Sequence, residues 1–127
     1  MTHITLKGDV PSKKNSLRRI MRGGKIFTVP SAAHEKWYAT QRALLGIRKP
    51  QPGSYAVTLT MFPATKRRGD LSNKAESVMD LLVAAGYLSD DNWFVVSHLD
   101  LYFGGCDKEN PRVEVGIARL DNLVKQV

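Results

Sequence analysis

Cysteine is almost missing from this chain. Cys106 stands alone, which excludes an internal disulfide and any thiolate cluster within one chain. It sits in a Gly-Gly-Cys-Asp turn with no base beside it in sequence, which argues against a nucleophile. Histidine is equally scarce: His3, His34 and His98 fall in different segments with neither H-x-x-H nor H-E-x-x-H spacing, so zinc is not expected. No apolar run approaches the roughly 18 residues of a spanning helix, and the opening MTHITLKGDV has no signal-peptide core. These absences lead us to expect a cytoplasmic protein with no membrane partner. Gly23-Gly24 is followed by no Gly-Lys-Ser/Thr, so no phosphate loop and no small-molecule cofactor is expected. The aromatic-rich motifs of RNA-binding modules are also lacking.

Acidic residues are the scarcer charge. Nineteen Lys and Arg face twelve Asp and Glu, a net charge of +7, and no acid stands between Asp9 and Glu35. A surface of this sign suits an anionic partner, and nucleic acid fits better than membrane. Five of the twelve acids, Asp70, Glu76, Asp80, Asp90 and Asp91, are gathered in one stretch directly after the basic run Lys66-Arg67-Arg68. Clustered carboxylates repel a polyanion unless a divalent cation lies between them. Carboxylates set in a basic surface therefore suggest a metal-dependent enzyme acting on nucleic acid.

At 127 residues, 43% apolar and 24% charged, the chain has the composition of one globular domain able to bury a core. ITLKGDV alternates as a strand ending at Pro11. Residues 11–25 read as a basic loop carrying Lys13, Lys14, Arg18, Arg19, Arg22 and Lys25, with a turn at Gly23-Gly24 and a short strand over 25–29. Ser31 opens a helix that ends at Gly46, with Trp37, Tyr38 and Leu45 on its inner face. YAVTLTMF is the best strand in the chain. A second helix spans about residues 70–85, WFVVSHLDLYF reads as a strand, and RVEVGI closes the sheet. The last ten residues are ambiguous between a short helix and a tail. The expected fold is α+β: one compact domain over 1–127 with one mixed β-sheet and two main helices packed on it.

At about 100° per residue, Leu71, Ala75, Val78, Met79 and Leu82 of the second helix share one face that should meet the sheet. Asp70, Asn73, Ser77 and Asp80 line the opposite stripe, with Glu76 beside it. The helix dipole favours Asp70 at its position, whereas Glu76 and Asp80, one turn apart, repel. If the next strand lies beside the strand that feeds the helix, the turn Ser89-Asp90-Asp91-Asn92 can fold back toward this stripe. Two carboxylates about 4 Å apart repel by roughly 4 kcal/mol at an effective dielectric of 20. A bound Mg²⁺ removes that penalty. Spacing alone leaves open an N-cap aspartate, a solvated acidic face and a solvated Asp-Asp-Asn connection.

The segment KRRGDLSNKAESVMDLLVAAGYLSDDNWFVV resembles the signature of the RusA family of Holliday junction resolvases. That signature has a basic run, Asp-Leu-x-Asn, an amphipathic helix with an internal Asp, Ala-Gly, and an Asp-Asp turn before a strand. PSKKN, ending at Asn15, is similar to the family's Pro-Ser-x-x-Asn element. The resemblance implies a RusA-like homodimer that needs Mg²⁺, with Mn²⁺ as a substitute, and nicks four-way DNA junctions symmetrically in recombination and repair. Asp70 and Asp91 match its catalytic aspartates; Asn73, Asp80 and Asp90 match further pattern positions. Two departures stand out: Ser72 occupies the place of a second aspartate, and Glu76 that of a lysine. On this reading Asp70 and Asp91 hold the ion with Glu76 and Asp90, while Lys74 supplies the displaced positive charge. Lys13, Lys14, Asn15, Arg18, Arg19, Arg22, Lys66, Arg67 and Arg68 would contact DNA, the basic ones through backbone phosphates. Trp93 and Phe94 are consecutive, so one should point outward, against an unstacked base or a partner subunit. The alternative is a non-catalytic binder of branched or structured nucleic acid, which has the same basic surface but no use for the carboxylates.

Overall fold

The computed structural model describes residues 1–11 and 17–120. Its elements in chain order are β1 (Thr2–Lys7), β2 (Leu17–Arg22), β3 (Lys25–Pro30), α1 (Ala32–Leu45), β4 (Tyr55–Phe62), α2 (Leu71–Ala84), β5 (Val96–Phe103) and β6 (Arg112–Arg119). Four strands form a mixed sheet in the order β1-β6-β4-β5, with β4 and β5 parallel and the other neighbours antiparallel. The expected α+β domain with a mixed sheet and two helices is what forms.

The alternation of YAVTLTMF places Tyr55, Val57, Leu59 and Met61 on the buried face of β4. Leu6 of β1 and Val113, Val115 and Ile117 of β6 extend that face, and both helices contribute to the same core. The opposite face carries Ala56, Thr58 and Thr60, which are half-exposed. From α2, Ala75, Val78, Met79 and Leu82 are buried as their spacing requires, while Leu71 is partly buried. Leu81 is fully buried as well. Fully burying such a side chain contributes about 1.5–3 kcal/mol. Ser77 departs from expectation: it is fully buried rather than on the acidic stripe, and its hydroxyl donates to Pro11 O at 3.0 Å.

The β4–α2–β5 crossover makes α2 run back along the sheet, so β4 and β5 start at the same end, with Tyr55 paired to Val96. Ser54 donates to Phe94 O at 2.5 Å and Tyr55 N to Val95 O at 2.7 Å, tying the approach of β5 to the start of β4. Gly86 ends the helical segment at a positive φ of 83°. A Cβ there would lie 1.6 Å from Arg48 O, so no other residue fits.

Three expectations need correcting. The basic loop over 11–25 is in part a strand: β2 pairs antiparallel with β3 in a hairpin separate from the main sheet. Gly23 and Gly24 close it with φ of 61° and 77°, the double positive φ of a type I′ turn. Three arginines in Leu17–Arg22 obscured the alternation. The strand expected from Trp93 begins only at Val96, because Asn92 Oδ1 accepts the amides of Phe94 at 3.0 Å and Val95 at 3.3 Å and holds a turn there. Without alternation in a turn, Trp93 and Phe94 are both exposed, at 78% and 76%. The first strand stops at Lys7, where Gly8 takes a φ of 96°. Of the ambiguous last residues, Ala118 and Arg119 belong to β6, and 121–127 lie outside the described residues.

Candidate functional site

The two ends of α2 carry two different surroundings. At its start Asp70 is the N-cap, with φ −114° and ψ 117°, and one carboxylate oxygen accepts both the Ser72 amide at 3.0 Å and the Ser72 hydroxyl at 2.7 Å. The departure at position 72 therefore has a local use: a hydroxyl can orient Asp70 where a second carboxylate would repel it. A cleft of about 690 Å³ opens beside Asp70, with Arg67, Arg68, Lys74 and Arg112 on its walls along with Asp9. Lys74 donates from Nζ to Val10 O at 2.5 Å, so its charge is anchored in the cleft. Arg112 is committed elsewhere. Its Nη1 meets Asp107 at 2.8 Å, its Nε meets Glu114 at 3.1 Å, and it lies 4.0 Å over the Phe62 ring. The hydrogen bond from Arg112 leads in holding the Asp107 carboxyl below the ordinary range, and bonds to Glu114 and then Asp107 raise the guanidinium.

Near the other end of α2 is a cavity of about 580 Å³ lined by His34 and Glu35 of α1, Asp80 of α2, and Asp90 and Asp91 of the turn. The turn has folded back toward the acidic stripe, as expected, and it shares this cavity with Asp80. Asp90 builds the turn: its carboxylate accepts the Asp91 amide at 2.7 Å and the Asn92 side-chain amide at 3.0 Å. The Asp91 amide bond is the main reason the Asp90 carboxyl lies below its ordinary value. His34 is buried and its ring lies 6.3 Å from that of Tyr38 at 18° between planes.

The structure therefore does not bring Asp70 and Asp91 together within one chain. They line different cavities, Asp70 the one at the start of the fourteen-residue α2 and Asp91 the one near its other end. Glu76 is exposed and lines neither cavity, so the expected set of Asp70, Asp91, Glu76 and Asp90 does not converge. Among the described residues no group of three His, Cys, Asp or Glu is placed to chelate one ion. One chain by itself does not fit the Mg²⁺ site implied by the resemblance. Lys74 shares the cleft of Asp70.

Of the expected DNA contacts, Lys66, Arg67 and Arg68 are exposed just after β4, and Arg19 and Arg22 are exposed on the hairpin. Arg18 lies in β2, while Lys13, Lys14 and Asn15 fall outside the described residues. Met21, Ile26 and Phe27 are exposed on the same hairpin. Asp9 and Arg112 in the basic cleft, and His34 and Glu35 in the acidic cavity, had no signal in their own segments; tertiary packing brings them in. No protein-family model matches this chain. No curated protein matches it either. Among the described residues no helix is long and apolar enough to cross a membrane.

Proposed function

We propose that the protein is a divalent-cation-dependent endodeoxyribonuclease of the RusA type, acting as a homodimer on four-way DNA junctions in the cytoplasm. The observation that carries this reading is the Asp70 carboxylate, held by Ser72 at a helix start inside a cleft walled by Arg67, Arg68 and Lys74. A structural N-cap needs no cationic cleft. A carboxylate that works beside a phosphodiester does, because the cations attract the backbone and offset charge on the attacked phosphate. Arg67 and Arg68 grip the phosphate, and Lys74 stays in place through its bond to Val10 O.

Arg19 and Arg22 extend the cationic surface along the hairpin, whose exposed Met21, Ile26 and Phe27 offer apolar contact to unstacked bases at a branch point. Two symmetric nicks need two equivalent sites, which a two-fold dimer supplies. The test is incubation of the protein with a synthetic four-way junction or with linear duplex of the same sequence, in Mg²⁺, in Mn²⁺ and in EDTA. Paired nicks in the junction with either metal, and none with EDTA, are expected. Tight junction binding with no cleavage under any condition would establish the non-catalytic binder instead.

A further inference from the structure

The cleft beside Asp70 offers more than a place for a phosphate. We propose that it is a pocket for one unstacked nucleotide of a DNA strand, with the base laid on the Phe103 ring and its phosphate held at the rim by Arg67 and Arg68. This pocket deepens the nuclease reading, on which its place in catalysis rests, while its binding can be tested without any cleavage.

β4 and β5 run parallel and both end at this cleft, at Phe62 and Phe103, and α2 begins there at Leu71. The crevice outside the carboxyl ends of parallel strands is where sheets with crossover helices hold their ligands. In many such sites a phosphate takes the helix start. Here Asp70 caps it, so an anion is directed instead to Arg67 and Arg68, both exposed. The volume of about 690 Å³ falls among pockets that enclose small organic ligands, about 300–1,000 Å³. A phosphodiester alone has no use for an apolar floor, yet Met61, Leu71 and Phe103 line this one.

The two aromatic rings of the cleft differ in what they already touch. The Arg112 guanidinium stands 4.0 Å from the Phe62 ring centroid, and Gly104 packs so closely that an added Cβ would lie 2.5 Å from Phe62 Cε1. Phe103 is 60% exposed, although its register partner Met61 is 6% exposed. An uncovered ring beside a cationic rim suits a single strand, because the cations track the backbone and a base stacks on the ring. A base inside a duplex has both faces stacked already and cannot reach it. At a branch point it can, since extrusion costs least where stacking and pairing are broken. The walls are tied to one another in advance. Asp9 Oδ1 accepts the Ala64 amide at 2.8 Å, Lys74 Nζ donates to Val10 O at 2.5 Å, and the Gly104 amide donates to Met61 O at 2.8 Å. Exposed Lys66 continues the cationic track before Arg67, which favours a nucleotide within a strand over a free one.

The test compares two short single strands in EDTA: oligothymidylate, and an abasic strand of equal length that keeps the phosphates and lacks the bases. Oligothymidylate should bind more tightly. Phe103→Ala should weaken its binding roughly 5- to 150-fold, the range of one base–aromatic stack, and leave the abasic strand unchanged. Phe103→Trp should restore the affinity, and Arg67→Gln with Arg68→Gln should weaken both strands alike. A 5-iodouracil strand, irradiated on the wild type, should cross-link at Phe103. Phe103→Ala binding that is unchanged, or lost equally for both strands, overturns the pocket, as does cross-linking confined to Phe27 of the hairpin. Displacement of the strand by thymidine monophosphate at equal concentration overturns the strand and assigns a free nucleotide. A Phe103→Ala protein altered at sedimentation equilibrium but not in strand affinity gives the ring to a second copy, which also overturns it. If the strand results hold and no DNA is cleaved with any metal, the nuclease reading alone fails, and the pocket belongs to a non-catalytic binder.

Discussion

Asp70 serves two ends at once, capping α2 and facing a cationic cleft, and the two can be separated by substitution. Asparagine caps a helix about as well as aspartate. Asp70→Asn should therefore leave thermal stability within about 0.5 kcal/mol of wild type. It should abolish junction cleavage and leave junction binding unchanged or tighter, since a charge that repels phosphate has gone; melting, gel-shift and cleavage assays read the three. Asp90 is a structural carboxylate. Hydrogen bonds from the Asp91 amide and the Asn92 side chain lower its pKa below 3.8. A depressed folded pKa contributes stability that is present above the unfolded value and lost as pH falls through the folded one. The turn should thus be intact at pH 5 and loosen only below about 3.8, with faster amide exchange at Asp91, Phe94 and Val95 in NMR. Exchange unchanged down to pH 2 would show that other contacts hold the turn.

The β2–β3 hairpin is the element whose role is most open to test. It stands apart from the main sheet, and Arg19, Met21, Arg22, Ile26 and Phe27 on it are exposed rather than spent on the core. If Arg19 and Arg22 hold phosphates, replacing both with Gln should weaken junction binding and flatten its salt dependence. The log–log slope should fall by about 0.9 for each phosphate no longer neutralised. An unchanged slope would place the DNA elsewhere. The α2 helix responds differently: Leu82→Ala removes a fully buried side chain beneath it and should cost about 2–5 kcal/mol in denaturant unfolding. Glu76→Gln on its exposed side should stay within about 0.5 kcal/mol.

Across the whole molecule, the elements with one dominant period were legible from residue order. Alternation in YAVTLTMF and three-four spacing in α2 each bury one face whatever surrounds them, and Asp70 at a helix start and Gly86 after its end mark the boundaries chemically. The hairpin was half hidden because Arg18, Arg19 and Arg22 carry no hydrophobic signal, and strand pairing between two exposed segments depends on backbone hydrogen bonds that every residue shares. Ser77 was misplaced because a wheel cannot foresee a buried acceptor such as Pro11 O, 66 positions away. The charge contrast and the carboxylate-bearing segment belong to residue order alone. Which carboxylates meet was decided only in three dimensions: a parallel β4–α2–β5 crossover puts residues before and after its helix at opposite ends of the sheet. Asp70 and Asp91 are close in the chain and line different cavities in the fold.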